Sequence, residues 1–294
     1  MKTYYDCIPC FIRQALDALR EVNSNQVIID RSLRRILREA SNFDLNLSPP
    51  EMGQIIHRII REETGNNDPY KAIKDRSITM AKKIELSIRD RILACFDPFG
   101  MAVRFAIAGN IMDFALASAW NNDKINDSFN KAKKQSLNTK TVQKLKSSIE
   151  NANTVLVLAD NAGETVFDRI LIDYFPGKAT VTYAVKGGPI INDAVLEDAE
   201  ASGLKEVAIL IDNGNDAPGT ILNKCSGSFK QVYNDADVVI AKGQANFETL
   251  NTADREIYFL TQIKCPVIAE HYNYVLGDWV VTSTSELSET KNRE

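Results

Sequence analysis

The clearest strand signal in the chain is TVLVLADNAGE, residues 154–164, an apolar run followed by a polar turn. Its β-branched and aliphatic residues are typical of a strand buried on both faces. Similar runs follow at 180–185, 207–211 and 238–241, each with a polar or glycine-rich turn and then a helical pattern. This repetition predicts an α/β fold, with a mostly parallel central sheet and helices on both faces.

The first 120 residues show helical periodicity instead. Ser48-Pro49-Pro50-Glu51 is typical of a capped helix start, and isoleucines at helical spacing follow it. Residues 121–140 are polar and poor in apolar side chains. The sequence therefore predicts a helical N-terminal region at 1–120, a connection at 121–140 and an α/β domain at 141–294.

Composition excludes several classes of function. The chain has 294 residues, of which 44% are hydrophobic, so it can bury a large core. Its net charge of −4 argues against a nucleic-acid-binding protein, which usually carries a basic face. No run approaches the roughly 18 apolar residues of a membrane span, and the first residues are polar. We expect a cytoplasmic protein without a membrane partner; the sequence leaves the oligomeric state open.

The five cysteines and two histidines limit the kinds of metal site. An odd number of cysteines does not indicate a disulfide framework, and two histidines are too few for a histidine-rich site. Any resident metal should therefore have oxygen ligands, which favours hard ions such as Mg or Mn. Cys7 and Cys10 form a Cys-x-x-Cys motif, for which a reduced pair, a redox switch and an auxiliary metal site all stay open.

Polar residues and glycines follow all four predicted strands. Because parallel strands place their carboxyl ends at one edge of the sheet, these turns should lie close together. Carboxylate and amide oxygens suit a divalent ion, while glycines and a lysine suit phosphate. The turns are DNAGE (160–164), KGGP (186–189) with Asn192 and Asp193 beyond it, DNGND (212–216) and KGQAN (242–246).

Several motifs together resemble the damage-control phosphatases, long catalogued as domain of unknown function 89. The resemblance implies a helical N-terminal region packed on an α/β domain. It also implies metal-dependent hydrolysis of phosphate esters of small metabolites such as sugar phosphates. YYDCIPC (4–10) is similar to the subgroup with an N-terminal Cys-x-x-Cys. The other motifs are AGNIMDF (108–114), LADNAGE (158–164), KGGPIINDA (186–194) and AKGQANFE (241–248).

The resemblance also implies roles for individual residues. Asp160, Asn161 and Asp193 take the metal-ligand positions, for Mn or Mg, with Co or Ni as alternatives. Glu164 is the first candidate, and Asp113 the second, for aligning or deprotonating the attacking water. The residues expected to bind the substrate phosphate are Asn110, Lys242, Lys186 and Asn246.

Two other functions stay open at this point. An S-adenosylmethionine-dependent methyltransferase also places an acidic turn after a strand, but LADNAGE has only Gly163 where that class has a glycine-rich turn. A non-catalytic sensor could bind a phosphorylated metabolite in the same pocket without hydrolysing it.

Overall fold

The computed structural model describes residues 1–22, 25–109, 127 and 130–291. Five helices come first, and strands alternate with helices from residue 139 onward. The labelled helices are α1 Cys7–Glu21, α2 Gln26–Asn42, α3 Pro49–Thr64, α4 Lys71–Leu93, α5 Pro98–Ala108, α6 Thr139–Glu150, α7 Thr165–Asp173, α8 Leu196–Ala201, α9 Gly227–Asp235, α10 Gly243–Leu250, α11 Pro266–His271 and α12 Thr284–Lys291.

Six strands form one sheet in the order β3-β2-β1-β4-β5-β6, and β6 alone of these runs antiparallel to its neighbour. The chain therefore starts in the middle of the sheet, builds one half and then returns to build the other. This order puts a topological switch point between β1 and β4. The strands are β1 Thr154–Leu158, β2 Thr180–Val185, β3 Ile209–Asp212, β4 Val238–Lys242, β5 Tyr258–Gln262 and β6 Trp279–Ser283.

Helices cover both faces of the sheet, as predicted. Alternate residues of β1 contribute to two separate apolar clusters, with Val155 and Val157 in one and Leu156 and Leu158 in the other. Helices α4, α5 and α7 pack in the first cluster, and α9 and α10 in the second. Burial on both faces explains why the strands read as continuous apolar runs. The predicted fold class is confirmed.

The strands β5 and β6 were not predicted from the sequence. The segment Tyr258–Gln262 continues into further apolar residues and then into α11, so its pattern does not separate strand from helix. The strand β3 begins at Ile209, two residues later than predicted, because Leu204–Glu206 form a short 3-10 helix just before it.

The N-terminal helices divide between two cores. A third apolar cluster joins α1, α2 and α3 through residues such as Phe11, Ile36 and Ile56. The apolar faces of α4 and α5 belong instead to the core of the sheet, with Ile88 and Phe105 fully buried there. Packing therefore groups α4 and α5 with the sheet, whereas the sequence-based division at residue 120 groups them with the helical region. Residues 121–126, 128 and 129 of the predicted connection lie outside the described residues.

The capping predicted at Ser48 is present, and it fixes how α3 begins. The Glu51 carboxylate accepts a hydrogen bond from the Ser48 backbone N–H at 2.9 Å, which satisfies a donor at the helix start. Helix α3 ends at Thr64, and the capping residue Gly65 after it has a left-handed backbone conformation. None of the helices in the described ranges is long and apolar enough to cross a membrane.

Candidate active site

The strand register explains why the polar turns meet at one edge of the sheet. Leu158 on β1 is aligned with Ala184 on β2 and with Ala241 on β4. Two residues further along each segment come Asp160, Lys186 and Gly243, so these residues lie side by side. The edge between β1 and β4 is also the switch point, where open α/β sheets bind ligands.

The loop after β2 is held directly against the turn after β1. Asn161 and Asp193 form an isolated antiparallel bridge. The Ala194 N–H donates to the Asp160 carbonyl at 2.8 Å, and the Ala162 N–H donates to the Asn192 carbonyl at 2.8 Å. The structure therefore brings the three predicted metal ligands together through backbone pairing that does not depend on their side chains.

Gly243 allows Asp160 to occupy its position. This glycine has a φ of +79°, and a Cβ atom added to it would lie 1.9 Å from Asp160 Oδ2. Any larger residue would therefore be strained in its backbone and would displace the Asp160 carboxylate. The glycine of the KGQAN turn therefore allows the ends of β1 and β4 to approach each other closely.

The residues at this edge fit a divalent cation. Among the described residues, no hydrogen-bond donor reaches the buried Oδ2 atom of Asp193, although the Lys186 ammonium lies 3.6 Å away. Burial raises the pKa of Asp193 to about 6, against the opposing effect of Lys186. Burial, with the nearby Asp193 charge, also raises the pKa of Asp160 to about 6. Two costly buried carboxylates beside one amide oxygen form a donor set that a hard cation would stabilise.

Glu164 and Lys242 form a buried ion pair behind these ligands. The Lys242 ammonium donates to Glu164 at 3.1 Å and to Asp168 at 2.5 Å, and all three side chains are at most 1% exposed. Burial raises the pKa of Glu164 to about 8, although Lys242 opposes that rise. Burial would lower the pKa of Lys242, but Asp168 and Glu164 outweigh it and raise this pKa.

Lys186 and Asn246 are likewise buried and bonded to the protein. The Lys186 ammonium donates to the carbonyls of Ala159 and Gly219, at 3.2 and 3.0 Å. The Asn246 amide donates to the carbonyls of Ala159 and Lys242, at 3.1 and 2.7 Å. These contacts give both residues a role in holding the strand ends together. Direct phosphate binding by Lys186, Lys242 and Asn246 stays a prediction.

A cleft of about 900 Å³ opens above the candidate ligands. Asp160, Asn161 and Asp193 lie on its sheet side, and α1 provides much of the opposite wall. Two cations line the cleft that the sequence reasoning did not select, Arg13 on α1 and Lys264 after β5. Lys264 lowers the pKa of Asp160, which shows that its charge acts on the ligand cluster. Recognising β5 as a strand would have revealed Lys264 as another strand-end residue.

Two predicted site residues, Asn110 and Asp113, lie outside the described residues. Among the residues that are described, no three histidine, cysteine, aspartate or glutamate side chains are grouped as a metal site would need. The candidate site therefore depends on the Asn161 amide as its third ligand.

The structure also gives the Cys-x-x-Cys motif a location. Cys7 and Cys10 lie on the first turn of α1, and both line the cleft together with Cys265. All five cysteines are free thiols. Burial is the main reason that the pKa values of Cys7 and Cys10 are raised, with Cys265 and Glu248 adding to the effect. The raised values disfavour reactive thiolates at this motif.

Comparison with known proteins identifies the family. The model of the damage-control phosphatase ARMT1-like domain matches residues 3–280. The chain belongs to this damage-control phosphatase family. The predicted resemblance to the family is confirmed, while the subgroup with an N-terminal Cys-x-x-Cys stays a prediction. Family membership supports a phosphatase that acts in metabolite damage control.

Relatives of known sequence span nearly the whole chain. A damage-control phosphatase of Pyrococcus horikoshii is 33% identical, over 94% of this chain and 96% of its own length. One of Archaeoglobus fulgidus is 28% identical, over 93% and 96%. An uncharacterised protein of Methanocaldococcus jannaschii is 33% identical, over 94% and 93%. The crystal structure of a DUF89 family protein from Pyrococcus horikoshii superposes with a TM-score of 0.89, at 31% identity, covering 97% of this chain and 99% of that one.

Proposed function

We propose that this damage-control phosphatase hydrolyses phosphate monoesters of small metabolites such as sugar phosphates, with a divalent ion bound by Asp160, Asn161 and Asp193. Mn and Mg are the ions that best suit two carboxylates and an amide oxygen. When bound, such an ion would neutralise charge on the phosphoryl group and orient it. The ion would sit at the floor of the cleft, where a substrate could reach it.

One observation carries the proposal: the bridge between Asn161 and Asp193 holds three oxygen-bearing side chains at the floor of a cleft, and one buried Asp193 oxygen accepts no hydrogen bond from the part of the chain that the structure describes. An unsatisfied buried carboxylate oxygen is costly, so it is uncommon without a functional reason. A cation provides that reason here. The same arrangement gives a methyltransferase no evident use for the buried oxygen.

The cleft cations suit a phosphorylated substrate. Lys264 lies near Asp160, so its ammonium would contact the phosphoryl oxygens and stabilise their charge. Arg13 on the opposite wall would contact the remainder of the substrate or a second anionic group. A cleft of about 900 Å³ accommodates a metabolite of sugar-phosphate size rather than a phosphoprotein segment.

The Glu164 side chain is almost completely shielded from solvent, more than is usual for a residue that contacts water directly. It is 1% exposed, accepts from Lys242 and Asn161, and has a pKa raised to about 8. Alignment or deprotonation of the attacking water by Glu164, or by Asp113, is part of the proposal. Glu164→Gln should then lower kcat, because the amide cannot accept the proton.

The test is phosphate release from a panel of sugar phosphates and other phosphate monoesters. Each ester is incubated with metal-free protein, with added Mn or Mg, and with added metal plus a chelator. We expect release only with free metal, and a loss of at least roughly 1,000-fold in Asp193→Asn, because one ligand loses its charge. Asp212→Asn is the matched control, since Asp212 also ends a strand but is exposed outside the cleft.

Three results would contradict the proposal. Metal-independent release would remove the role of the ligand cluster. Wild-type turnover by Asp193→Asn would show that the ligands are assigned wrongly. Thermal stabilisation by phosphate esters without any release would favour the sensor.

A further inference from the structure

A continuous series of buried hydrogen bonds leads from the interior of the sheet towards the cleft. It starts at Tyr183 on β2, whose hydroxyl donates to Asp168 Oδ2 at 2.7 Å. The other carboxylate oxygen of Asp168 accepts from the Lys242 ammonium at 2.5 Å. Tyr183, Asp168 and Lys242 are at most 1% exposed, and none of them lines the cleft.

The series continues to a candidate metal ligand. The Lys242 ammonium also donates to Glu164 Oε2 at 3.1 Å, and Glu164 Oε1 accepts from the Asn161 amide nitrogen at 2.6 Å. The same amide nitrogen lies 3.2 Å from Asp160 Oδ2, to which it donates. Two carboxylates therefore define where the NH₂ group of Asn161 points.

The orientation of this amide matters for binding a cation. An asparagine binds a divalent ion through its carbonyl oxygen, whereas its NH₂ group is a donor and repels the ion. A flip of the amide would exchange these two groups at nearly the same positions. Because the NH₂ group donates to Glu164, the carbonyl oxygen lies on the opposite side of the amide from that carboxylate, and it is the group through which Asn161 would bind a cation.

Lys242 keeps Glu164 in place, and Asp168 keeps Lys242 in place. Asp168 follows Glu164 by four residues at the start of α7, so both carboxylates can face the same ammonium. Without Asp168, the Lys242 ammonium would be buried with one carboxylate partner instead of two, and it would be freer to move. Tyr183 in turn fixes the Asp168 carboxylate from β2.

We propose that Asp168 and Tyr183 are positioning residues that act through Lys242 and Glu164 to hold the Asn161 amide in its cation-binding orientation. They are not catalytic residues, since neither reaches the cleft. The inference rests on the proposed divalent site. It predicts that substitutions of Asp168 or Tyr183, which do not contact a candidate ligand directly, weaken metal binding.

The test is isothermal titration of metal-free protein with Mn²⁺, without any substrate. We expect Asp168→Asn to bind Mn²⁺ roughly 10–100-fold more weakly, as for other residues that orient metal ligands. Tyr183→Phe should weaken binding roughly 2–5-fold, the effect of one hydrogen bond. Tyr233→Phe is the matched control. The Tyr233 hydroxyl is also buried, but it lies on α9 and makes no hydrogen bond with the described residues. Its removal should therefore leave the Mn²⁺ affinity unchanged.

A double-mutant cycle separates positioning from general damage to the fold. Glu164→Gln interrupts the series between Lys242 and Asn161. If Asp168 acts through Glu164, adding Asp168→Asn to Glu164→Gln should change the Mn²⁺ affinity by less than roughly twofold. Additive losses would show that Asp168 acts by another route and would overturn the inference. If Asp168→Asn fails to fold, the same cycle is run with Tyr183→Phe.

The outcomes distinguish this inference from the proposed function. Wild-type Mn²⁺ affinity in Asp168→Asn and Tyr183→Phe would overturn the inference and leave the phosphatase intact. If both variants bind Mn²⁺ more weakly but the unaltered protein releases no phosphate from any ester, the inference is supported and the phosphatase proposal is refuted. Absence of Mn²⁺ binding by the unaltered protein would overturn both.

Discussion

The two sides of the cleft are built in different ways. On the sheet side, side chains at the strand ends are buried and hydrogen-bonded within the protein: the Lys242 ammonium donates to Asp168, and the Asn246 amide donates to the Lys242 carbonyl. On the helical side, α1 presents an exposed Arg13 and a half-buried Gln14 to the cleft. Groups that must be placed accurately benefit from rigid surroundings, whereas groups that select a substrate can vary. The difference indicates that residues on the sheet side carry out catalysis and that residues on the helical side determine substrate specificity.

A few polar contacts join the two sides. Asp216, in the turn after β3, pairs with both Arg58 and Arg61 of α3. It also accepts from the Gln54 amide at 2.7 Å. Burial alone would raise the pKa of Asp216, but the hydrogen bonds from Arg58 and its other partners lower it to about 2. The carboxylate is thus charged at any ordinary pH, and it connects α3 to the sheet.

Among the changes that compare the two sides without replacing a candidate metal ligand, the largest effect should come from Gly243, on the sheet side. Gly243→Ala would place a methyl group against Asp160 Oδ2. A displaced ligand should reduce phosphate release at least roughly 100-fold, since errors of about 1 Å in placement have effects of this size. Steady-state kinetics at saturating Mn²⁺ measures the loss.

Gly277→Ala is the control for Gly243→Ala. Gly277 also has a positive φ, +96°, but apart from its two chain neighbours no described residue has an atom within 4 Å of an added Cβ. It should cost about 1–3 kcal/mol in stability and leave the kinetics unchanged. Equal activity losses in the two variants would mean that backbone strain, rather than contact with Asp160, is responsible.

The next effect should come from separating the two sides at Asp216. Asp216→Ala leaves Arg58, Arg61 and Gln54 without their shared acceptor, and it should lower the free energy of unfolding by about 2–3 kcal/mol. Urea unfolding measures this change. Asp30→Ala, which removes an exposed pair with Arg34, should cost less than about 0.5 kcal/mol. Equal losses would show that Asp216 does not join α3 to the sheet.

Acid should weaken the helical side through His57 on α3. His57 is 2% exposed, and burial, with a smaller effect of Arg61, lowers its pKa from 6.5 to about 3. Between these values the unfolded chain binds a proton that the folded protein does not bind. The free energy of unfolding should therefore fall as the pH falls below 6.5, by about 2 kcal/mol between pH 7 and pH 5.

Urea unfolding at pH 7 and pH 5 measures the His57 effect. His57→Leu should remove this part of the pH dependence, because leucine does not titrate. His271→Leu serves as the control, since His271 is exposed at the end of α11. If the pH dependence survives in His57→Leu, the loss of stability in acid comes from other groups.

The smallest effect should come from Arg13 on the helical side of the cleft. Arg13→Ala should raise KM roughly 3–10-fold, by an amount that differs among phosphate esters, with little change in kcat. Arg20→Ala, near the exposed end of the same helix, should change neither constant. A large fall in kcat for Arg13→Ala would place Arg13 among the groups that act on the reaction itself.

Most of the fold could be predicted because local pattern and buried environment agree. The runs at β1, β2 and β4 are apolar on both faces, which a central parallel strand requires. The strands β5 and β6 were missed because short apolar segments beside helices have no distinctive period. The membership of α4 and α5 in the sheet core was missed because periodicity shows that a helix has an apolar face, but not what that face contacts.

The candidate site was predicted as a set of strand-end residues, but their individual environments were not. The sequence predicted that Lys242 binds the substrate phosphate, which stays a prediction; the structure adds that its ammonium donates to Glu164 and Asp168. Asp168 and Tyr183 carry no motif of their own, since an aspartate in a helix and a tyrosine in a strand are ordinary residues. Their role depends on contacts between α7, β2 and β4.

The sequence by itself determined the α/β class and the polar turns at the strand ends, because strand periodicity and turn chemistry are local properties. The family resemblance implied that Asp160, Asn161 and Asp193 belong together as ligands. Tertiary structure decided which of the surrounding charges meet the cleft and which are buried behind it. Lys242 and Lys264 are both lysines at strand ends, yet one is buried and the other exposed. The reason is physical: the burial and pairing of a charge depend on neighbours that are distant in the chain.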